Sequence, residues 1–184
     1  MKTSLTSVAV LLTLLAGPAN AAFIGDYDLA KWIKAVNGNG LITTNTAADS
    51  VTLVSANGGP GGPTARNQDF TVTAAASGLV KFDWAFSTAD ALPSRDPFGW
   101  LLNGVFTQLT NNTGGRNQSA VYSFNVQAGD IFGFRAASTT SRNGAATTVI
   151  TNFSGPTAVP LPATAWLMVA PMMALLRKRK ATTV

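Results

Sequence analysis

Asp90 and Asp96 stand six positions apart in the stretch "ADALPSRDPFGW", and Trp100 closes it. Two carboxylates in one loop offer two kinds of chemistry. They are the pair that glycoside hydrolysis requires, and they are hard oxygen ligands of the kind Ca²⁺ takes together with backbone carbonyls. Trp100 adds a ring on which a sugar can stack, and Arg142, in a second polar loop, adds a cation. Each residue also has a plain structural role. Asp forms turns and caps, and large aromatics mostly fill cores.

The rest of the composition narrows these options. The chain contains no His and no Cys, and every one of its eight acidic residues is Asp. Thiol nucleophiles, Ser-His-Asp arrangements and most acid/base pairs are therefore out of reach. No EF-hand or nonapeptide spacing surrounds the Asp residues. The segment "NGGPGG" (57–62) lacks the Lys-Ser/Thr of a phosphate loop and reads as a flexible link. The expectation is a protein without catalytic residues or a firm metal or cofactor, with Asp90, Asp96, Trp100 and Arg142 as candidate ligand or Ca²⁺ residues. Three Asn-x-Ser/Thr matches, at Asn111, Asn117 and Asn152, follow from an Asn- and Thr-rich composition.

Short strands must position these residues. In "GLVKFDWAF", Val80, Phe82, Trp84 and Phe86 alternate with Lys81 and Asp83. "SAVYSFNV" places Ala120, Tyr122, Phe124 and Val126 on one face, "DIFGFRA" does so with Phe132 and Phe134, and "TTVITNF" with Val149, Thr151 and Phe153. "SVTLVS" and "DFTVTA" supply two more strands, and Asn103-Gly104 is a hairpin signal. "DLAKWIKAV" reads as a brief helix or an edge strand, soon broken by Asn37–Gly40. The sum is an all-β chain, an antiparallel, jelly-roll-like β-sandwich over residues 22–154. With no Cys, its core must hold by packing alone. Strand directions alternate, so the links at 56–68, 88–98, 111–118 and 138–145 gather at one end. The tight turns near Gly78, Gly104 and Gly129 gather at the other.

The two ends of the chain carry addresses. Lys2, the apolar run 7–17 and the small residues Ala19 and Ala21 form a secretory signal peptide over 1–21. After a short linker (155–159), Pro160 to Leu176 make an apolar segment just long enough to span a bilayer as a C-terminal hydrophobic helix. It stops at Arg177, Lys178, Arg179 and Lys180, which would stay cytoplasmic. These four and Lys2 account for the whole net charge of +5. The body is thus neutral and has no electrostatic footprint for nucleic acid.

Val159-Pro160-Leu161-Pro162-Ala163, the apolar span and the basic stop together resemble the PEP-CTERM sorting signal of Gram-negative bacteria, in its VPLPA form. Leu161 stands where the commonest form has glutamate, which leaves the subtype of the processing enzyme open. The resemblance implies signal peptidase and an exosortase, a membrane cysteine transpeptidase, as partners during export. It also implies transient anchoring in the inner membrane and delivery to the outer surface or extracellular matrix. The stretches "GLVKFDWAFSTAD", "DPFGWLLNGVFTQLT", "FNVQAGDIFGFR" and "TTVITNFS" are similar to uncharacterised domains found ahead of this signal, which implies a β-sandwich. The functional expectation is a structural, adhesive or exopolysaccharide-associated surface component. The alternative is a carbohydrate- or Ca²⁺-binding module acting through the loops at 88–98 and 138–145.

Overall fold

A computed structural model describes residues 23–58, 64–140 and 143–158. The signal segment, the sorting motif Val159–Ala163, the basic stop and Arg142 lie outside the described residues. Among the described residues no helix is long and apolar enough to cross a membrane. Strands β1 (Ile33–Val36), β2 (Leu41–Thr44), β3 (Ser50–Val54), β4 (Arg66–Thr73) and β5 (Gly78–Thr88) are followed by β6 (Phe98–Leu102), β7 (Val105–Gln108), β8 (Asn117–Val126), β9 (Ile131–Ser138) and β10 (Ala146–Ser154). They form two five-stranded sheets, sheet I in the order β1-β4-β9-β6-β7 and sheet II in the order β2-β3-β10-β5-β8. All pairings are antiparallel. The chain is an antiparallel β-sandwich.

The alternation in β5 explains why the sheets face each other. Val80, Phe82, Trp84 and Phe86 are all buried, while Lys81, Ala85 and Ser87 are exposed. Sheet I answers with Phe70, Val72, Phe98, Phe132 and Phe134. The rings interlock: Trp32 stacks on Phe70 with centroids 4.4 Å apart, Phe23 on Phe153 at 4.7 Å, and Trp100 on Phe124 at 4.1 Å. Each buried Phe contributes about 2 kcal/mol by area, and each ring pair adds up to about 1 kcal/mol. This aromatic core stands where small exported domains often place disulfides.

Three local features differ from simple alternation. "DLAKWIKAV" forms a 3₁₀ turn at Leu29–Lys31 and then edge strand β1, so the helical option is corrected. Val149 and Thr151 point outward, whereas Thr148 and Ile150 face the core. A register shift between Thr151 and Ser154, with Asn152 at φ +50°, turns Phe153 back inside. Ala120 and Tyr122 share the inward parity of β8, yet Ala120 is exposed and Tyr122 only half-buried, because β8 is the edge of sheet II.

The polarity of the sandwich follows the alternation of strand directions. The Ala89 N–H donates to the Ala145 carbonyl, Thr139 N–H to Arg95 and Thr88 N–H to Arg116, which brings the long links together at one end. At the opposite end Asn103 and Gly104 turn with φ of +51° and +83°, and Gly129 with +91°. Both ends of the described body also leave there. Gly155 lies against the Tyr27 ring, the Tyr27 hydroxyl donates to the Pro156 carbonyl at 2.7 Å, and the Ala158 N–H donates to Asp26 at 3.0 Å.

Candidate functional site

Asp90 and Asp96 do meet at the long-loop end, but they face inward. The Asp96 carboxylate accepts hydrogen bonds from the Ser55 hydroxyl at 2.9 Å and the Thr88 hydroxyl at 2.7 Å. Thr88 Oγ1 in turn accepts from the Asp90 N–H at 3.0 Å. The Ser55 hydroxyl also accepts from the Ala146 N–H, so this cluster ties the ends of β3, β5 and β10 to the loop before β6. Burial raises the Asp96 carboxyl above the ordinary value. The two hydroxyls oppose the rise, the Asp90 charge adds to it and Arg95 opposes it. Asp90 is fully buried and pairs with Arg95 at 3.0 Å through one oxygen, while its Oδ2 has no hydrogen-bond partner.

This arrangement is that of a loop anchor. Two carboxylates meet, one already neutralised by an arginine, and among the described residues no group of three or more Asp, Glu, His or Cys side chains converges. Trp100 is not at the loop tip. It lies on the inner face of β6 against Phe124 and Tyr122, with its indole N–H buried and unpaired. Of the four candidate ligand residues, then, the fold joins Asp90 to Asp96, puts Trp100 in the interior and leaves Arg142 outside the described residues.

A more open arrangement lies on the outer face of sheet I. Registers between β1, β4, β9, β6 and β7 set two rows across it: Ala35, Asp69, Arg135, Gly99, Gln108, and beside them Ile33, Thr71, Gly133, Leu101, Phe106. Thr71, Leu101, Ile131 and Arg135 stand around a hollow in this face. The result is a depression of about 420 Å³, extended by Asp69 and the Asn103-Gly104 turn. Glycine is required at position 133, beside the hollow, because β9 runs so close to β4 that a Cβ would meet the Phe70 carbonyl oxygen.

At the rim, Arg135 and Asp69 form a two-pronged ion pair. Nε and Nη2 each donate to a separate carboxylate oxygen at 2.6 Å. About a fifth of each side chain remains accessible, 22% for Arg135 and 21% for Asp69. The hydrogen bond to Asp69 pushes the guanidinium pKa upward against its own burial, so the charge is permanent. The guanidinium also lies over the Phe106 ring, 5.7 Å from its centroid. Sequence reasoning missed this pair: Asp69 and Arg135 are 66 positions apart, and only the β4–β9 register brings them together.

A depression of similar size crosses sheet II, lined by Ala85, Ser87, Ser119, Thr147 and Val149 among others. It has neither a charged group nor an exposed ring to orient a ligand. The sheet I face is the stronger candidate because polar and apolar groups converge there.

Comparison with known proteins adds the following. No protein-family model matches the chain, and no curated protein matches it by sequence. Solved structures do match. A family 35 carbohydrate binding module from Clostridium thermocellum is similar at 15% identity, with 66% of this chain and 92% of that one covered and a TM-score of 0.35. A family 35 module from an environmental isolate aligns at 14% identity over 70% of this chain and 98% of that one, with a TM-score of 0.36. The C-terminal CBM6 of a marine laminarinase from Zobellia galactanivorans aligns at 16% identity over 65% and 98%, with a TM-score of 0.32.

Proposed function

We propose that this chain is an exported β-sandwich module that binds an uncharged polysaccharide through the outer face of sheet I. The observation that carries the reading is the Arg135–Asp69 pair standing over an apolar depression. Guanidinium hydrogens not used on Asp69 donate to sugar hydroxyls, and free lone pairs of Asp69 accept from them. Two neighbouring ring hydroxyls match one donor and one acceptor held side by side. Ile131, half exposed, offers apolar surface to the C–H face of the ring, and Phe106 steadies the guanidinium. The pair carries no net charge, which favours a neutral glycan over an acidic one.

Calorimetric titration of the purified chain with soluble polysaccharides, with and without Ca²⁺, tests this. An uncharged glycan is expected to bind without metal. Arg135→Met and Phe106→Ala should each weaken it tenfold or more, about 1.4 kcal/mol. Absence of glycan binding, or binding that neither substitution changes, overturns the reading.

The same proposal includes export and sorting. The secretory segment, the Pro160-Leu161-Pro162 motif and the basic stop support processing by signal peptidase and an exosortase-type transpeptidase, followed by release to the surface or matrix. An exopolysaccharide there is the natural ligand class. Intact mass of the surface form should end near the motif, and a mature chain still ending at Val184 refutes the sorting claim.

A further inference from the structure

The four sheet edges of the sandwich are unequal. β1, β2 and β7 are edges of four residues each, whereas β8 is an edge of ten. Folded proteins usually protect a long edge with a charge, a proline or a bulge. β8, "NQSAVYSFNV", has none of the three: it contains no charged residue and no proline, and its pairing with β5 runs without a register shift from Asn117 to Val126. Alternate backbone groups along β8 face away from β5, with no strand opposite them among the described residues. Val121, in the middle, is 59% exposed.

The outward-facing residues of this strand read the same in both directions. Asn117, Ser119, Val121, Ser123 and Asn125 alternate with the inward-facing residues, and Val121 is the centre of the palindrome. In an antiparallel pair, directly opposite residues point to the same side. Two copies of β8 related by a two-fold axis through Val121 therefore set Asn117 against Asn125, Ser119 against Ser123, and Val121 against Val121. On the other side of the sheet, exposed Ala120 meets the half-buried ring of Tyr122 twice, a small side chain against a large one. Like polar pairs and apolar contacts of this kind stabilise neighbouring strands. A two-fold contact has this self-complementary form.

Electrostatics do not oppose the pairing. The nearest charged residue level with the axis is Asp83, opposite Val121 on β5, and its carboxylate accepts a hydrogen bond from Asn152 at 2.7 Å. Across the joined sheet the two Asp83 side chains stand three strand spacings apart, roughly 14 Å, which is beyond the screening length of about 10 Å in ordinary salt.

From this we infer that β8 is a self-association strand. A second copy of this chain pairs with it antiparallel about Val121, and the two five-stranded sheets join into one continuous sheet. The long-loop ends of the two copies then point in opposite directions along the strand axis.

The natural chain has no cysteine, so single replacements report the contact without background. In the full chain, in the envelope of the expressing cell, Val121→Cys should oxidise to a disulfide-linked dimer, because opposite Cα atoms lie about 5 Å apart. Ser119→Cys alone should stay monomeric, since its copies sit four residues out of step, about 14 Å apart. Mixing Ser119→Cys with a differently tagged Ser123→Cys should restore cross-linking between the two tags. Val121→Lys should lower the dimer fraction of the otherwise native chain at least tenfold while leaving the thermal midpoint of the body in place. A Val121→Cys chain that folds and is labelled by maleimide but gives no dimer overturns the inference. So does a Ser119→Cys chain that cross-links alone as readily as Val121→Cys.

Discussion

The sandwich holds two acidic clusters of opposite character. At the long-loop end, Asp96 is 2% exposed and spends its lone pairs on two hydroxyls of the same chain. On the outer face of sheet I, Asp69 is accessible and shares its charge with a guanidinium that has hydrogens to spare. A loop carboxylate that looks available in the sequence serves to hold the loop, while a carboxylate in mid-strand is the one left open to solvent. Availability depends on which neighbours already claim the oxygen atoms, and loop position alone does not decide it.

Substitutions separate the two regions most sharply through stability. Asp96→Ala strips Ser55 and Thr88 of a buried acceptor and should lower the unfolding free energy by about 3 kcal/mol in urea titration. Loss of affinity for glycan without loss of stability in that variant would reverse the assignment of roles. Gly133→Ala forces a methyl group into the Phe70 carbonyl and pushes β9 away from β4, so about 2 kcal/mol of stability should be lost and the Arg135–Asp69 geometry that spans these two strands disturbed with it. Arg135→Met keeps the alkyl chain but removes the open charge, so its cost to stability should be about 1 kcal/mol or less, measured in the same titration.

The smallest effect is a pH dependence. Asp96 is raised in the folded state above the ordinary Asp value of 3.8, with burial the first cause. A carboxyl that holds its proton more tightly when folded contributes stability that is complete below the unfolded pKa and is lost as pH rises through the folded one. The stability of the native chain relative to Asp96→Asn should therefore fall as pH climbs from below 3.8 through the raised value and then level off. A difference that instead grows with rising pH would mean that hydroxyl donation outweighs burial at this site.

Much of the architecture was legible because buried strands advertise themselves. Val80 to Phe86 in β5 and Phe132 with Phe134 in β9 alternate cleanly, and Asn103-Gly104 marks its hairpin. In β10 simple alternation finds Phe153 inside but misplaces Val149 and Thr151, since a left-handed Asn152 resets the alternation one residue before Phe153. A positive φ at an asparagine has no signature in a chain so rich in Asn. The candidate face on sheet I is hidden for another reason. Asp69 and Arg135 belong to strands that are visible in the sequence, but their meeting depends on pairing register, as does the depression beside them.

The position of β10 has a mechanical consequence. Its C-terminal end leads directly to Ala158, and the strand lies between β3 and β5 with hydrogen-bonded ladders on both sides. A pull on the C-terminal end of the described body runs along the strand axis and loads both ladders at once in shear, instead of unzipping them bond by bond.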